Sequence, residues 1–473
     1  MLQVLKQIYK YIKEESDVKM STDMKEIYEQ RLGRYQNAIA LEPVDRIPIA
    51  IGSNNFAESY TASGQEVIYD PQKWLQSEMD FIRDYPEFDV LRNNRFWAPI
   101  YDVLGVKTYK FPGRDLAPHV AIQFSEAEYM LADEYDALIA NSGQFMMEKF
   151  LPRVFSEMDK GSTRSHFAFL KAGMAQGMYA EIMRNRSIQL QNQCGMPQPM
   201  TGAFLAPFDL LGDVLRGLTG ILRDIRRQPD KVLEACDILA PIMARHALAT
   251  ADPLRRYPIF VPTHKPTFMS PKQFDTFYWP SFKKTMEMII AAGHKIRLYM
   301  EGDWGKHWHH MLELPKGSVI CDIDDQGDIF KAKEEFGHHM CIAGGIPSQM
   351  FILGTPEEID ARVKILCEKL GVGGGYMMGG GCYLPVNSKP ENVRAMVDAV
   401  MKYGWYDKNI KPRPLPPLPV SSEIPGLGQQ QVLTPWEVKK TDLGGVTGNE
   451  ALIRQPWETI EGMAFNWLWS WAF

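Results

Sequence analysis

Short apolar runs alternate with longer amphipathic stretches through the second half of the chain. The run YPIFVP (257–262) has the length and composition of a buried strand, and the stretch after it predicts a helix from an N-cap at Ser270 to a stop at Gly293. The same alternation begins again at four further apolar runs, KIRLYMEG (295–302), SVICDID (318–324), HMCIAGGI (339–346) and GGYMMGGGC (374–382). Five strand–helix units in about 150 residues predict a parallel sheet.

Polar or glycine-rich clusters stand at the ends of all these runs. An open doubly wound sheet would concentrate such residues at one switch point, whereas a barrel collects them around a whole rim. We therefore predict an α/β fold, a (β/α)8 TIM barrel, as a catalytic domain over residues 45–405, beginning with the strand-like run DRIPIAIG.

Two flanking segments fall outside this pattern. Apolar residues at helical spacing among Lys and Glu predict an N-terminal helical extension within residues 1–44. Residues 406–473 combine a proline-rich linker with an aromatic C-terminal tail, in which Trp467, Trp469 and Trp471 alternate as in a strand. Because an exposed aromatic stripe favours aggregation, we expect the tail to dock onto the barrel or onto a second subunit of a homodimer, in preference to a membrane surface.

Charge and composition exclude several classes of function. The net charge is −6, and the Lys and Arg residues are scattered, so nucleic acid is not an expected partner. The apolar runs are too short for a transmembrane segment, and the N-terminus lacks a signal-peptide core, which predicts a cytoplasmic protein. Six cysteines without a CxxC pair do not form a disulfide framework.

The candidate site consists of reactive side chains at the carboxyl ends of the predicted strands, where barrel enzymes place their chemistry. His264 follows the first of the five strands, Glu301 closes the second and Cys382 closes the last. Imidazole, carboxylate and thiolate ligands with an open fourth position suit catalytic zinc. Simpler interpretations are that His264 is only a hydrogen-bonding group and that Glu301 caps a helix. Cys382 is harder to assign to the core, because it lies in a glycine loop.

A histidine-rich segment, KHWHHM (306–311), is a weaker metal candidate. His307 and His310 would share one face of a helix, and His338 and His339 occur separately. A solvated or substrate-facing helix is the favoured interpretation of this segment.

Several motifs together carry a resemblance to a known family. They are RLGRYQNAIALEPVDRIPIA, FMSPKQFDTFYWPSFKKTMEMIIAAGH, LYMEGD, CIAGGIP and GGGYMMGGGC followed by PVNSKPENVRAMVDAVMKYG. They look like the uroporphyrinogen decarboxylase superfamily, and the nearer branch is that of the cobalamin-dependent methyltransferases, which move methyl groups to or from a corrinoid protein. The resemblance implies the same (β/α)8 barrel that the strand–helix units predict.

Two motifs indicate the branch. The decarboxylases carry an N-terminal arginine motif that grips porphyrinogen carboxylates, whereas the segment at 31–46 resembles the version in the methyltransferases. Thiol-methylating members hold zinc with a His-x-Cys-Gly motif and a later cysteine; here Tyr299 replaces the histidine, Glu301 replaces the first cysteine, and Cys382 matches the later one. A site with one thiolate and one carboxylate leaves a harder, more Lewis-acidic metal. This variant resembles the first methyltransferases of O-demethylase systems.

The resemblance therefore implies transfer of a methyl group from a small methoxylated, preferentially aromatic, compound to Co(I) of a separate corrinoid protein. The chain lacks a DxHxxG corrinoid-binding segment, so the cobalamin would reside on the partner. Tyr299 and Asp322 are candidates for giving a proton to the leaving oxygen. The candidates for lining the substrate pocket are Phe268, Trp304 and Met378, with Tyr278 and Trp279 more typical of helix-packing core.

Other functions stay open at this point. One is transfer from a corrinoid to a thiol or another acceptor, and another is a decarboxylase-like or non-catalytic barrel that binds a tetrapyrrole. The glycine-rich stretch around Cys382 lacks the Lys-Ser/Thr of a P-loop, so phosphate binding is not expected. Its glycines are expected to end the last strand in a side-chain-poor loop that leaves room for a corrinoid.

Overall fold

A five-stranded parallel sheet, with its strands in chain order, lies at the centre of the computed structural model. The structure describes residues 20–52, 56–61, 63–91, 96–380, 383–428 and 432–472. A short antiparallel pair, β1 and β2, precedes the parallel strands β3 to β7. The strands are β1 Tyr109–Lys110, β2 Gln123–Phe124, β3 Ile259–Thr263, β4 Ile296–Met300, β5 Val319–Ile323, β6 Cys341–Ile346 and β7 Tyr376–Gly380. All five strands predicted from the apolar runs are present.

Three short segments continue the sheet at its two edges. Ala203 pairs in parallel with Phe260 of β3, and Ile49 pairs in parallel with Met378 of β7. The carbonyl of Ile49 in turn accepts a hydrogen bond of 3.0 Å from the backbone N–H of Asp89. Eight strand-like segments thus follow one another around the sheet, as a (β/α)8 barrel requires, and the predicted fold class is confirmed.

Helices cover the sheet and fill a long insertion between the segments at Asp89 and Ala203. The α-helices are α1 Thr22–Ile39, α2 Gly64–Tyr69, α3 Pro71–Asp84, α4 Ala98–Leu104, α5 Tyr135–Ala140, α6 Ser142–Phe145, α7 Leu151–Val154, α8 Ser162–Cys194, α9 Pro207–Asp209, α10 Gly217–Arg227, α11 Pro229–Thr250, α12 Pro271–Gln273, α13 Trp279–Ala291, α14 Ile329–Phe336, α15 Ser348–Leu353, α16 Pro356–Leu370, α17 Pro390–Tyr403, α18 Trp436–Asp442 and α19 Ala451–Ser470. Shorter 3₁₀ turns are Phe56–Tyr60, Pro266–Phe268 and Trp308–Glu313, and π-helical turns are Met146–Phe150, Leu210–Leu215 and Phe274–Tyr278. Among the described residues, no helix has the length and apolarity needed to cross a bilayer.

The predicted helix after β3 begins where the sequence places it. Oγ of Ser270 accepts a hydrogen bond of 3.3 Å from the backbone N–H of Gln273, and the Gln273 side chain returns to the Ser270 backbone, which completes a capping box. The helix is divided by the π-helical turn Phe274–Tyr278 before it continues as α13. Such turns interrupt regular packing and re-aim the side chains next to them.

Helix α1 closes the N-terminal end of the barrel. Tyr35, Ala38 and Ile39 pack in one buried cluster with interior residues of four strand segments, Ala50, Ile320, Cys341, Ala343 and Met377. The residues after α1 lie against the turns that precede two strands, with Leu41 next to Gly375 and Ala40 next to Gly317. The described part of the predicted N-terminal extension therefore packs against the barrel and covers its N-terminal end.

Buried ion pairs hold helix α1 at this end of the barrel. Arg34 binds both carboxylate oxygens of Asp45 at 2.6 Å and also contacts Asp89, which is paired with Arg46 at 2.8 Å. Asp89 accepts a further hydrogen bond of 2.8 Å from the backbone N–H of Ile49. Burial alone would raise the pKa of Asp89, but Arg46 and Arg34 outweigh that effect and lower it. Arg34, Asp45 and Arg46 belong to the segment at 31–46 that resembles the methyltransferase branch.

The C-terminal tail differs from its predicted strand, because Trp467 and Trp469 lie in helix α19, which Trp471 caps. Trp469 is fully buried, and Nε1 of Trp471 donates a hydrogen bond of 3.1 Å to Gln176 of α8. The proline-rich segment also packs on the chain: Leu415 donates its backbone N–H to the side chain of Gln36 in α1 at 2.8 Å. The tail therefore docks as a helix onto helices that surround the barrel.

Candidate active site

Two predicted metal ligands meet at the mouth of the barrel. His264 follows β3, and Glu301 follows β4, its hydrogen-bonded neighbour in the sheet. Nε2 of His264 lies 3.5 Å from Oε2 of Glu301. Their side chains are 35% and 48% exposed, so both reach solvent while their backbones are held by the strands. Glu301 therefore does not act as the helix cap that its sequence context allowed.

Asp213 orients the imidazole of His264. Oδ2 of Asp213 lies 2.6 Å from Nδ1 of His264. An ionised carboxylate only accepts hydrogen bonds, so the ring donates through Nδ1 and directs Nε2 toward Glu301. Asp213 lies in the π-helical turn Leu210–Leu215, directly after the strand segment at Ala203, so a third strand end contributes to the site.

Asp209 holds the loop that carries His264. Its carboxylate accepts the backbone N–H groups of His264 at 3.2 Å and Lys265 at 3.0 Å, and the hydroxyl of Tyr278 donates to it at 2.6 Å. Tyr278 and Asp209 are both fully buried. Tyr278 therefore supports the site from the core, in agreement with the helix-packing interpretation of its sequence.

Lys265 supplies the second positive charge of the site. Its ammonium contacts Asp213 and lies 3.3 Å from Oε2 of Glu126, which comes from the insertion. Gly212 makes room for this side chain, because a Cβ there would lie 2.8 Å from Cε of Lys265. The insertion and the barrel are thus tied together at the mouth.

Carboxylates outnumber the positive groups around His264, and the pKa values reflect this. Burial raises the pKa of Asp209 to about 7, with Asp213 adding to the shift, and burial also raises the pKa of Glu301. Burial would lower the pKa of His264, but the hydrogen bond and charge of Asp213 outweigh it and raise the pKa to about 9. The arrangement favours a positive charge at Nε2, which either a proton or a metal cation supplies.

Tyr299 and Asp322, the predicted proton donors, have different surroundings. The hydroxyl of Tyr299 donates to Oδ1 of Asp324 at 2.9 Å, and Oδ2 of Asp324 accepts the backbone N–H of Gly302 at 2.8 Å. Asp322 lies within β5, two residues before Asp324, and its two oxygens bind Arg297 at 2.7 and 2.8 Å. This buried ion pair does not fit the predicted proton-donating role of Asp322, and Asp324 is the carboxylate that adjoins Tyr299.

The three predicted pocket residues do not line one surface. Phe268 is 55% exposed in the turn after His264. Trp304 is buried and packs edge-on against Phe274, with ring centroids 5.5 Å apart. Met378 is buried on the opposite face of β7 from the interior residue Met377. Trp304 and Met378 are therefore core residues, and the prediction that they contact substrate is not supported by their positions.

The glycine-rich stretch serves both ends of the barrel. Gly373, Gly374 and Gly375 have φ values of +79°, +73° and +65° in the turn before β7, at the closed end. Glycine adopts this region without the steric cost of a Cβ. Strand β7 ends at Gly380, at the mouth. Cys382, the third predicted metal ligand, lies outside the described residues.

The sequence interpretation missed Asp209, Asp213 and Lys265. The signal for the first two is PFDLLGDV (207–214), which places two aspartates one helical turn apart. Their relevance depends on the strand segment at Ala203, which has too few paired residues to stand out as a strand in the sequence.

Comparisons with known proteins agree with this architecture. Residues 186–403 match the sequence profile described as uroporphyrinogen decarboxylase (URO-D). A solved structure of a methyltransferase from Methanosarcina mazei is similar with a TM-score of 0.52 and 17% sequence identity, covering 78% of this chain and 98% of that one. At this identity the likeness concerns the fold. No curated protein sequence matches the chain.

Proposed function

We propose that this chain, whose residues 186–403 match the URO-D profile, is a zinc-dependent methyltransferase. Its substrate would be a small methoxylated compound, preferentially aromatic, and its methyl acceptor the Co(I) of a separate corrinoid protein. The observation that carries the proposal is the convergence of Nε2 of His264 and Oε2 of Glu301 at the barrel mouth, with Asp213 behind the imidazole. The likeness in fold to a methyltransferase supports the reaction class.

The donor atoms fit a zinc ion. Two ligands that bind zinc tetrahedrally at about 2.0–2.1 Å lie about 3.3–3.4 Å from each other. The separation of 3.5 Å between His264 and Glu301 is close to this value. Asp213 occupies the position of the carboxylate that commonly orients a zinc-bound histidine through its other ring nitrogen. Cys382, two residues beyond the end of β7 in sequence, is the proposed third ligand.

A metal at this position would supply the Lewis acidity that an aryl ether requires. The departing phenolate is a poor leaving group, and bound zinc polarises an oxygen placed in its open coordination position. Asp213 and Asp209 would hold His264 in place. Tyr299, which is hydrogen-bonded to Asp324, is the proposed proton donor to the leaving oxygen. The half-exposed site leaves access for a corrinoid domain.

The arginine-rich segment weighs against a decarboxylase. Arg34 and Arg46 are paired with Asp45 and Asp89 beneath the barrel. Arg31 donates to the backbone carbonyls of Cys194 and Gly195 at 2.6 and 3.1 Å. These three guanidinium groups are engaged at the closed end, away from a substrate at the mouth. Transfer from a corrinoid to a thiol is the second candidate, since it would use the same metal site.

Metal analysis and a methyl-transfer assay test the proposal together. We expect purified protein to hold one zinc ion at this site, which Glu301→Ala or Cys382→Ala removes and Cys194→Ala, at the end of α8, retains. With reduced corrinoid protein, addition of an aryl methyl ether should decrease the Co(I) absorbance. In the two metal-site variants the rate of this decrease should be at least about 100-fold lower, because a Lewis acid contributes a few kcal/mol to lowering the barrier. A zinc content and an activity that are both unchanged in Glu301→Ala would refute the site.

A second assay separates the two directions of transfer. Methylated corrinoid protein is incubated with a thiol, and methyl–cobalt absorbance is followed. Rapid demethylation by the thiol, with no aryl ether acting as donor, would replace the proposed function by the second candidate.

A further inference from the structure

A second cluster of metal-ligand side chains lies on the outer side of the two connections that follow β3 and β4. Asp275 comes from the π-helical turn Phe274–Tyr278, and His309 and His310 come from the 3₁₀ turn Trp308–Glu313. One ligand atom of each of these three residues lies within 4.8 Å of the other two. Within the described ranges, this is the one group of three His, Cys, Asp or Glu side chains that meets this criterion.

The side chain of His310 is buried, and each of its two ring nitrogens faces a carboxylate. Its side chain is 8% exposed, Nε2 lies 3.0 Å from Oδ1 of Asp275, and Nδ1 lies 2.6 Å from Oε1 of Glu313. Its ring also lies against Trp279, with centroids 4.7 Å apart. The orientation of the imidazole is therefore set before any ligand arrives.

Glu313 is itself held in place. Its Oε2 accepts hydrogen bonds from Nε1 of Trp279 at 3.1 Å and from Nζ of Lys283 at 2.8 Å. A carboxylate held in place next to Nδ1 orients the imidazole so that Nε2 is available to bind a cation. This is the common outer-shell arrangement of protein metal sites.

His309 adds a third potential metal ligand, which a simple ion pair between Asp275 and His310 would not need. Its ring centroid lies 4.1 Å from that of His310, and its side chain is exposed, so it can turn toward the same point without loss of packing. Two imidazoles and one carboxylate, with water completing the coordination, suit zinc and its first-row neighbours.

We propose that Asp275, His309 and Nε2 of His310 form a second binding site for a divalent transition-metal cation, with Zn²⁺ as the expected ion and Glu313 as its outer-shell carboxylate. The bound ion joins the connection after β3 to the connection after β4, the two strands that precede His264 and Glu301. The site does not depend on the proposed methyl transfer, because it shares no residue with the barrel mouth.

Zinc binding is measured on the full chain by equilibrium dialysis with elemental analysis. A Glu301→Ala background removes the mouth site from the count. We expect one Zn²⁺ per chain to remain in this background, with a dissociation constant in the micromolar range or below, and to be lost when His309→Ala is added. His338→Ala, at an exposed histidine outside the proposed ligand set, is the matched control and should leave binding unchanged. Retained stoichiometry in the His309→Ala variant would refute the site, as would binding of Zn²⁺ only at millimolar concentration.

Glu313→Gln tests the outer-shell role without removing a ligand. Replacement of such a carboxylate typically weakens metal binding roughly 10- to 100-fold. Because His309 is exposed, its substitution is not expected to disturb folding, and circular dichroism of each variant checks this. Co²⁺ in place of Zn²⁺ gives a further readout: visible absorption typical of nitrogen and oxygen ligands should appear in the Glu301→Ala background and disappear with His309→Ala. Visible spectra that are identical in the presence and absence of His309 would contradict the proposal.

Discussion

At the closed end of the barrel, Arg34 and Arg46 share Asp89 under helix α1, and these charges are buried and paired. At the mouth, Asp213 and Glu301 flank His264, carboxylates outnumber positive groups, and the side chains of His264 and Glu301 are 35% and 48% exposed. At both ends, carboxylates lie close to positively charged side chains. The two ends differ in their balance of charge and in their access to solvent.

This difference separates stability from binding. A buried charge that loses its partner is strongly unfavourable, so the paired residues below serve the fold. An uncompensated cluster of carboxylates that solvent can reach is stabilised by a cation, so the residues at the mouth are suited to binding a cation. The comparison predicts that substitutions at the closed end act mainly on unfolding, and those at the mouth mainly on metal binding.

Loss of Asp89 should have the largest effect. Asp89→Ala leaves two buried guanidinium groups short of a partner, and we expect the free energy of unfolding to fall by roughly 3–5 kcal/mol. Urea denaturation followed by circular dichroism measures it. Glu458→Ala, which breaks an exposed pair with Arg454 on α19, is the control and should leave the midpoint unchanged.

Acid unfolding sharpens the same prediction. Because the pKa of Asp89 is lowered in the folded chain, its contribution is complete above the ordinary aspartate value of about 3.9 and is lost as the pH falls through the lower folded value. The stability difference between the wild type and Asp89→Ala should therefore be constant at neutral pH and shrink only below about pH 4. A difference that vanished near pH 6 would contradict this account.

The buried pair Arg297–Asp322 should respond to double substitution. Arg297→Met leaves Asp322 unpaired in the barrel interior, and we expect a loss of roughly 3 kcal/mol in the free energy of unfolding, because an uncompensated buried charge is strongly unfavourable. Adding Asp322→Leu should restore most of this loss, since apolar replacement of both partners removes the desolvation cost. If the double variant were no more stable than Arg297→Met alone, the ion pair would contribute more to folding than the mutual compensation of its two charges.

At the mouth, Asp213→Asn should weaken zinc binding with less effect on folding. The amide keeps the shape but loses the charge behind His264, and we expect zinc affinity to fall roughly 10- to 100-fold, about 1.4–2.8 kcal/mol. Competition with a chromogenic chelator measures the affinity, and Asp325→Asn on an exposed neighbouring loop is the control. Unchanged affinity would remove Asp213 from the proposed site.

The smallest effect on folding is expected at Phe268. Its side chain is 55% exposed, so Phe268→Ala should change the free energy of unfolding by less than about 0.5 kcal/mol. If the ring contacts the methyl donor, KM should rise several-fold while kcat changes little. Leu452→Ala, an exposed apolar residue on α19, should change neither constant. An unaltered KM for Phe268→Ala would exclude this contact.

The errors of sequence interpretation have physical causes. Trp467 and Trp471 are two positions from Trp469, which suggests a strand. However, four positions separate Phe465 from Trp469 and Trp467 from Trp471, and the rings of each pair lie next to each other along helix α19 and its cap, with centroids 6.4 Å apart. Met378 lies in β7, where the face of a side chain depends on register, and it faces the core. Trp304 lies after the end of β4 and is buried against Phe274.

The amino-acid sequence by itself determined the order of strands and helices, the Ser270 cap and the arrival of His264 and Glu301 at one end of a sheet. These are local properties, because apolar periodicity, capping residues and strand direction involve residues close in the chain. Tertiary structure alone decided that Asp213 stands behind His264, 51 positions away, that Arg297 takes both oxygens of Asp322, and that α1 closes the barrel. Such contacts depend on how separate elements pack, and in the chain's sequence no short-range pattern encodes them.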